Sequence, residues 1–103
     1  MQWNELQNLH KTMSEAEAEL LFSKGKEYAS DADALSNFKR RAEDVGVSPE
    51  QICWIFASKH FDSIRSYVAK GQTFSNEPIE GRIADARNYL LLLLALIQEE
   101  KPQ

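Results

Sequence analysis

The stretch from Glu77 to Glu100, EPIEGRIADARNYLLLLLALIQEE, constrains the fold more than any other part of the chain. Ile79, Ile83, Ala86, Leu90, Leu93 and Ile97 follow alternating steps of four and three, the signature of one helix face. Leu91, Leu92 and Leu94 add apolar surface to the other faces, so the second half is apolar all round. Such a helix end is expected to be covered on several sides by other helices. The first half carries Glu77, Glu80, Arg82, Asp85, Arg87 and Asn88. Polar groups projecting from a helix anchored in a core are well placed to build a site.

The remaining segments read as helices as well. Trp3, Leu6, Leu9 and Met13 have weak helical spacing, consistent with a short N-terminal helix or an arm. Ser14 with Glu17 is a capping-box pattern, and Glu15, Glu17 and Glu19 favour the positive end of a helix dipole, so a helix is expected over 14–29. A loop, Ala29 to Asp33, follows. Leu35, Phe38, Ala42 and Val45 mark a second helix over 33–45, with Asp33 as its N-cap and Gly46 as its stop. Ser48-Pro49-Glu50-Gln51 combines a capping Ser, Pro at the first helical position and Gln three residues on. The helix it opens is expected over 49–70, ended by Gly71, with Ile52, Ile55, Phe56, Ile64, Tyr67 and Val68 facing the core. Lys59, His60 and Ser63 interrupt that stripe, and core-facing polar groups cost free energy unless they are paired or used. Ser75 or Asn76 is expected to cap the last helix, over 77–100, with Pro78 in its first turn. There is no hairpin signal or internal repeat, so the expected fold is all-α: an antiparallel bundle of four main helices in one domain, 1–103.

Composition narrows the function. A net charge of −4 argues against a general nucleic-acid surface but leaves room for a small phosphorylated ligand, which needs only a few local cations. The one cysteine, Cys53, excludes an internal disulfide, and its place between Ile52 and Trp54 points to a buried, inert thiol. Leu90 to Ile97 is too short to cross a bilayer, which takes about 20 residues. The N-terminus lacks a basic stretch followed by an apolar one, so the expectation is a cytoplasmic protein that does not enter membranes.

Three polar groupings could carry chemistry: Lys24, Lys26 and Tyr28 with Asn37; Lys59, His60, Asp62 and Arg65; and Glu77, Glu80, Asp85 and Asn88. Each also has a plain structural reading, since helix-end lysines are ordinarily solvated and an exposed Lys59–Asp62 pair is worth about 0.3 kcal/mol. No Gly-rich phosphate loop, nucleophile elbow or zinc spacing is present.

The ordered set of segments Lys24-Gly25-Lys26-Glu27-Tyr28, Asn37-Phe38, Lys59-His60-Phe61-Asp62-Ser63-Ile64 and Glu77 through Tyr89 resembles small all-helical phage and prophage proteins called nucleotide-modification-associated. Members carry a Lys-rich K-x-x-D-Y-G segment, an Asn-Phe, a mid-helix Lys and an E-S-I-x-x-x-x-x-D-x-x-N-Y segment. Tyr28, Asn37, Lys59, Glu77, Asp85, Asn88 and Tyr89 fall on those positions. That group is distantly similar to the MazG-like nucleotide pyrophosphatases, which hold Mg²⁺ with E-x-x-E and E-x-x-D motifs. Asp85 stands at the aspartate of the second motif, but Arg82 replaces its Glu and no E-x-x-E lies on an earlier helix. The resemblance implies a nucleotide or related phosphorylated ligand. Lys24, Lys26 and Lys59 would contact phosphate, Tyr28 or Tyr89 the base or sugar, and Asn88 would orient the ligand. Asp85 with Glu77 or Glu80 would take Mg²⁺. The alternative from another class is a non-catalytic interaction protein built as a helical homo-oligomer, and an oligomer is expected on either reading, because the short chain carries many aromatic and leucine residues.

Overall fold

The computed structural model describes residues 1–28 and 33–101, with side chains throughout except at 24–28. The protein is an all-α helical bundle, with no strand among the described residues. Its order is α1 (Trp3–Tyr28), α2 (Ser36–Val45), α3 (Pro49–Lys70), a 3₁₀ turn (Phe74–Asn76) and α4 (Ile79–Glu100).

The start of α3 follows its local code. Gln51 N–H donates to Ser48 Oγ at 3.2 Å, Ser48 N–H donates to Gln51 Oε1 at 2.9 Å, and Pro49 occupies the first turn. Gly46 (φ 81°) and Gly71 (φ 76°) end α2 and α3 in the left-handed conformation that costs a Cβ-free residue little.

Other boundaries differ from the sequence expectation. α1 is one continuous helix from Trp3, so the N-terminal segment is neither a separate helix nor an arm, and Ser14 lies mid-helix rather than at a cap. Nothing between Met13 and Ala18 breaks a helix, and Glu, Ala and Leu dominate the sequence that follows. α2 starts at Ser36 rather than 33. Asp33 still performs cap chemistry ahead of it: Oδ1 accepts from Leu35 N–H at 2.9 Å, and Oδ2 accepts from Lys39 Nζ at 2.6 Å. Ser75 and Asn76 do not cap α4. Both adopt positive φ in the preceding turn, and α4 begins after Pro78. That turn is fastened to α3 by Phe74 N–H, which donates to Ser63 Oγ at 2.9 Å.

The core lies between α2, α3 and the second half of α4. Leu35, Phe38, Ala42, Ile52, Cys53 and Leu96 are buried there, with Phe56, Tyr89, Leu92 and Leu93 packed against them. The Phe38 ring meets Phe56 at 6.1 Å and Tyr89 edge-on at 6.5 Å, arrangements that suit aromatic quadrupoles. Lys39 Nζ ties α2 to α4 through Glu99 at 2.9 Å.

The end of α4 is not covered all round. Leu96 is 2% exposed, whereas Leu90, Leu91, Leu94 and Ile97 face solvent. The inward stripe is Arg82, Ala86, Tyr89, Leu93 and Leu96, shifted from the expected face and sharing only Ala86 and Leu93 with it. On α3 the expected core residues Ile55, Tyr67 and Val68 are likewise exposed. Small or polar residues, Cys53, Ala57, His60 and Ser63, take the inward positions instead. Their size lets α3 and α4 approach closely along antiparallel axes, with Cys53 beside Tyr89 and His60 beside Arg82.

α1 docks on α4 through its middle. Arg87 Nε lies 2.9 Å from Glu17 Oε1, and Asn88 Nδ2 donates to the Glu17 carbonyl at 3.1 Å. Residues 1–12 are exposed throughout.

Candidate functional site

His60 and Arg82 reach toward each other across the α3–α4 interface, and both are buried. Arg82 Nη1 lies 3.2 Å from His60 Nδ1. A guanidinium only donates, so Nδ1 accepts and the imidazole is the neutral tautomer carrying its proton on Nε2. Asp85 Oδ2 stands 3.8 Å from the same nitrogen. Tyr89 stacks on the imidazole with ring centroids 5.3 Å apart and planes 30° apart. Glu77 Oε2 approaches Arg82 Nε to 3.0 Å, within ion-pair distance but not aligned for a hydrogen bond.

Burial lowers the His60 pKa below its ordinary value near 6.5. Asp85 and Glu77 oppose that shift, and the positive charges of Lys59 and Arg82 add to it. Two carboxylates and two cations therefore surround one neutral imidazole. The outer rim of the arrangement, Lys59, Glu77 and Asp85, is open to solvent.

Several residues singled out from the sequence meet here: Lys59, Glu77, Asp85 and Tyr89 all neighbour His60 or Arg82. Asn88 serves elsewhere, holding α1 through the Glu17 carbonyl. Asn37 lies on α2, where it accepts a hydrogen bond from Arg40. The side chains of Lys24, Lys26 and Tyr28 lie outside the described residues. Glu80 is exposed on the first turn of α4. Of the carboxylates expected to take Mg²⁺, Glu77 faces Arg82 and Asp85 faces His60, and among the described residues no group of three His, Cys, Asp or Glu is placed to hold a metal ion.

Of the pair at the centre of the cluster, His60 belongs to one of the three polar groupings expected from sequence, whereas Arg82 belongs to none. His60 gave a signal, as a polar break in the α3 stripe. Arg82 gave one only in retrospect, as the first member of the inward α4 stripe. Cys53 is buried and donates from Sγ to the Tyr89 carbonyl at 3.5 Å. Burial, with the nearby Glu50 charge, pushes its thiol up to about 11, which makes it a poor nucleophile.

Two shallow surface grooves flank Trp54, whose ring lies 5.8 Å from that of Phe61. Glu50, Gln51, Ile55 and Leu93 line one, and Ser58, Asp62 and Arg65 help line the other; Asn37, Lys59, Asn88 and Tyr89 line neither. No helix among the described residues is long and apolar enough to cross a membrane. Set against protein-family models, characterised proteins and solved structures, the chain matches none.

Proposed function

We propose that this chain is a helical interaction protein that works as a homo-oligomer through the uncovered apolar faces of α1 and α4. The observation that carries this reading is the exposure of large apolar side chains in runs: Trp3, Leu6 and Leu9 on α1, and Leu90, Leu91, Leu94 and Ile97 on α4. Single exposed leucines are ordinary, but runs of them on neighbouring helical positions mark interaction surfaces. Multi-angle light scattering after gel filtration, repeated over a wide dilution range, tests it. A mass of one 11.8 kDa chain at every concentration would remove the reading.

A second reading is a nucleotide or related phosphorylated ligand held beside His60. What favours it is the convergence of Lys59, Glu77, Asp85 and Tyr89 on that residue. Lys59 supplies a mobile point charge for phosphate at the open rim. A thermal-shift series with nucleoside mono-, di- and triphosphates, each with and without Mg²⁺, tests it. A ligand at one hundred times its Kd stabilises the fold by about 2.7 kcal/mol. A shift abolished by Lys59→Ala or Asp85→Ala supports the site; no shift with any nucleotide removes it. A shift that appears only with triphosphates and Mg²⁺ would support the pyrophosphatase resemblance.

A further inference from the structure

We infer that the partner at the apolar faces is a second copy of this chain, docked reciprocally: the first turns of α1 from each protomer lie along the Leu90–Ile97 face of α4 of the other. This rests on the homo-oligomer reading and specifies its geometry.

Both faces continue a contact that already exists inside the chain. On α1, Trp3, Leu6, His10, Met13, Glu17 and Leu20 follow alternating steps of three and four. Met13, Glu17 and Leu20 are half-buried, with Glu17 held by Arg87 and Asn88 of α4. Toward the N-terminus the same stripe runs on uncovered, and Trp3 is 81% exposed. On α4, Ile83, Arg87, Leu90, Leu94 and Ile97 form a matching stripe. Arg87 meets α1, and beyond it the stripe is uncovered. The internal seam therefore joins the middle of α1 to the first half of α4. It leaves one apolar half-face free on each helix.

These two half-faces suit each other. Residues 89–97 carry no charge, and Trp3, Leu6 and Leu9 supply bulky anchors of the kind that dominate interface energies. A two-fold operation repeats the contact, as closed dimers require. A single seam of a few helical turns would fall short of the roughly 1,200 Å² of a stable interface, and the repetition doubles its area. A lipid surface fits less well. Helices that lie on membranes are rich in Lys and Arg, whereas residues 1–12 hold Lys11 as their one Lys or Arg, beside Glu5, in a chain of net charge −4.

The test uses full-length chains bearing single cysteines on the two faces, Leu6→Cys in one preparation and Leu94→Cys in another. Both positions are exposed, so each variant folds, and the buried Cys53 does not compete. Oxidation of the mixture is expected to give the Leu6→Cys–Leu94→Cys cross-linked pair in excess over either like-with-like pair. Trp3→Glu and Leu94→Glu are each expected to turn the dimer into a monomer with unchanged helical circular dichroism. A stable oligomer that cross-links only like with like overturns the reciprocal arrangement and leaves the oligomer standing. A monomer at all concentrations, with or without binding to vesicles, overturns both.

Discussion

The Arg82 guanidinium donates to Nδ1 of His60 at 3.2 Å within the α3–α4 interface, so the fold binds the imidazole in its neutral form. A proton on Nδ1 would displace Arg82 and turn the ring toward Asp85, which now stands 3.8 Å away. The charges facing the ring are Lys59 from α3, Arg82 and Asp85 from α4, and Glu77 from the segment before α4. The folded pKa lies below the ordinary 6.5, chiefly through burial. The unfolded chain therefore binds more protons at mildly acid pH. Stability contributed by this group is complete above 6.5 and declines as pH falls toward the folded value. Urea unfolding at a series of pH values is expected to show this loss, and His60→Gln is expected to remove it. A wild-type profile that is flat just below pH 6.5 would contradict the assignment.

The neighbours of His60 are expected to move its titration in opposite directions. Arg82→Met removes a positive charge and a donor, so the His60 pKa rises toward its ordinary value. Asp85→Asn removes the largest opposing charge, so the pKa falls further. Proton NMR of the imidazole during a pH titration reads both. Because Arg82 makes a buried charge-assisted hydrogen bond, its truncation is also expected to cost about 1.5–3 kcal/mol in urea unfolding.

The Ser48 cap offers a more local check. Its hydroxyl accepts from Gln51 N–H, and Ser48→Ala leaves that donor to water. The expected loss is about 1 kcal/mol, seen as a lower denaturation midpoint with an unchanged slope.

How much could be read from the chain follows from the range of each signal. The start of α3 was legible because a capping box is complete within four residues. The same logic placed a start at Ser14, where α1 runs straight through. A cap pattern needs a break before it, and the preceding residues supply none. The inward face of α4 was misplaced because Leu90 to Leu94 is apolar on every side, so its periodicity selects no face. What selects it is Arg82 and Tyr89, which pair with His60 across the interface. The Arg82–His60 pairing spans 22 positions in sequence and exists only in one antiparallel register. Lys59, Glu77, Asp85 and Tyr89 were legible individually, and His60 was legible as a break in the α3 stripe and a member of a polar grouping, but their convergence across the α3–α4 interface was not.

Cys53 is expected to react slowly in the folded protein. Its thiol sits at about 11 and is fully buried, so little thiolate is present near neutral pH. A disulfide reagent should label it at the rate of global unfolding and promptly in denaturant. Rapid labelling of the native chain would mean that the α3–α4 interface opens locally.

Leu94 and Leu96 separate the core from the proposed interface. They stand two residues apart on α4, yet Leu96 is 2% exposed in the core and Leu94 is 49% exposed on the uncovered face. Leu96→Ala removes packed methyl groups and leaves a cavity among Leu35, Phe38 and Cys53, at an expected cost of about 2–5 kcal/mol. That loss belongs to each protomer, so it is the same at every protein concentration. Leu94→Ala leaves the protomer core intact. Its effect enters only through assembly, so its stability deficit should shrink as the chain is diluted into monomer. Thermal unfolding of both variants over a dilution series reads the difference. A concentration-independent deficit for Leu94→Ala would place that side chain in the protomer's own packing and remove the α4 face from the interface.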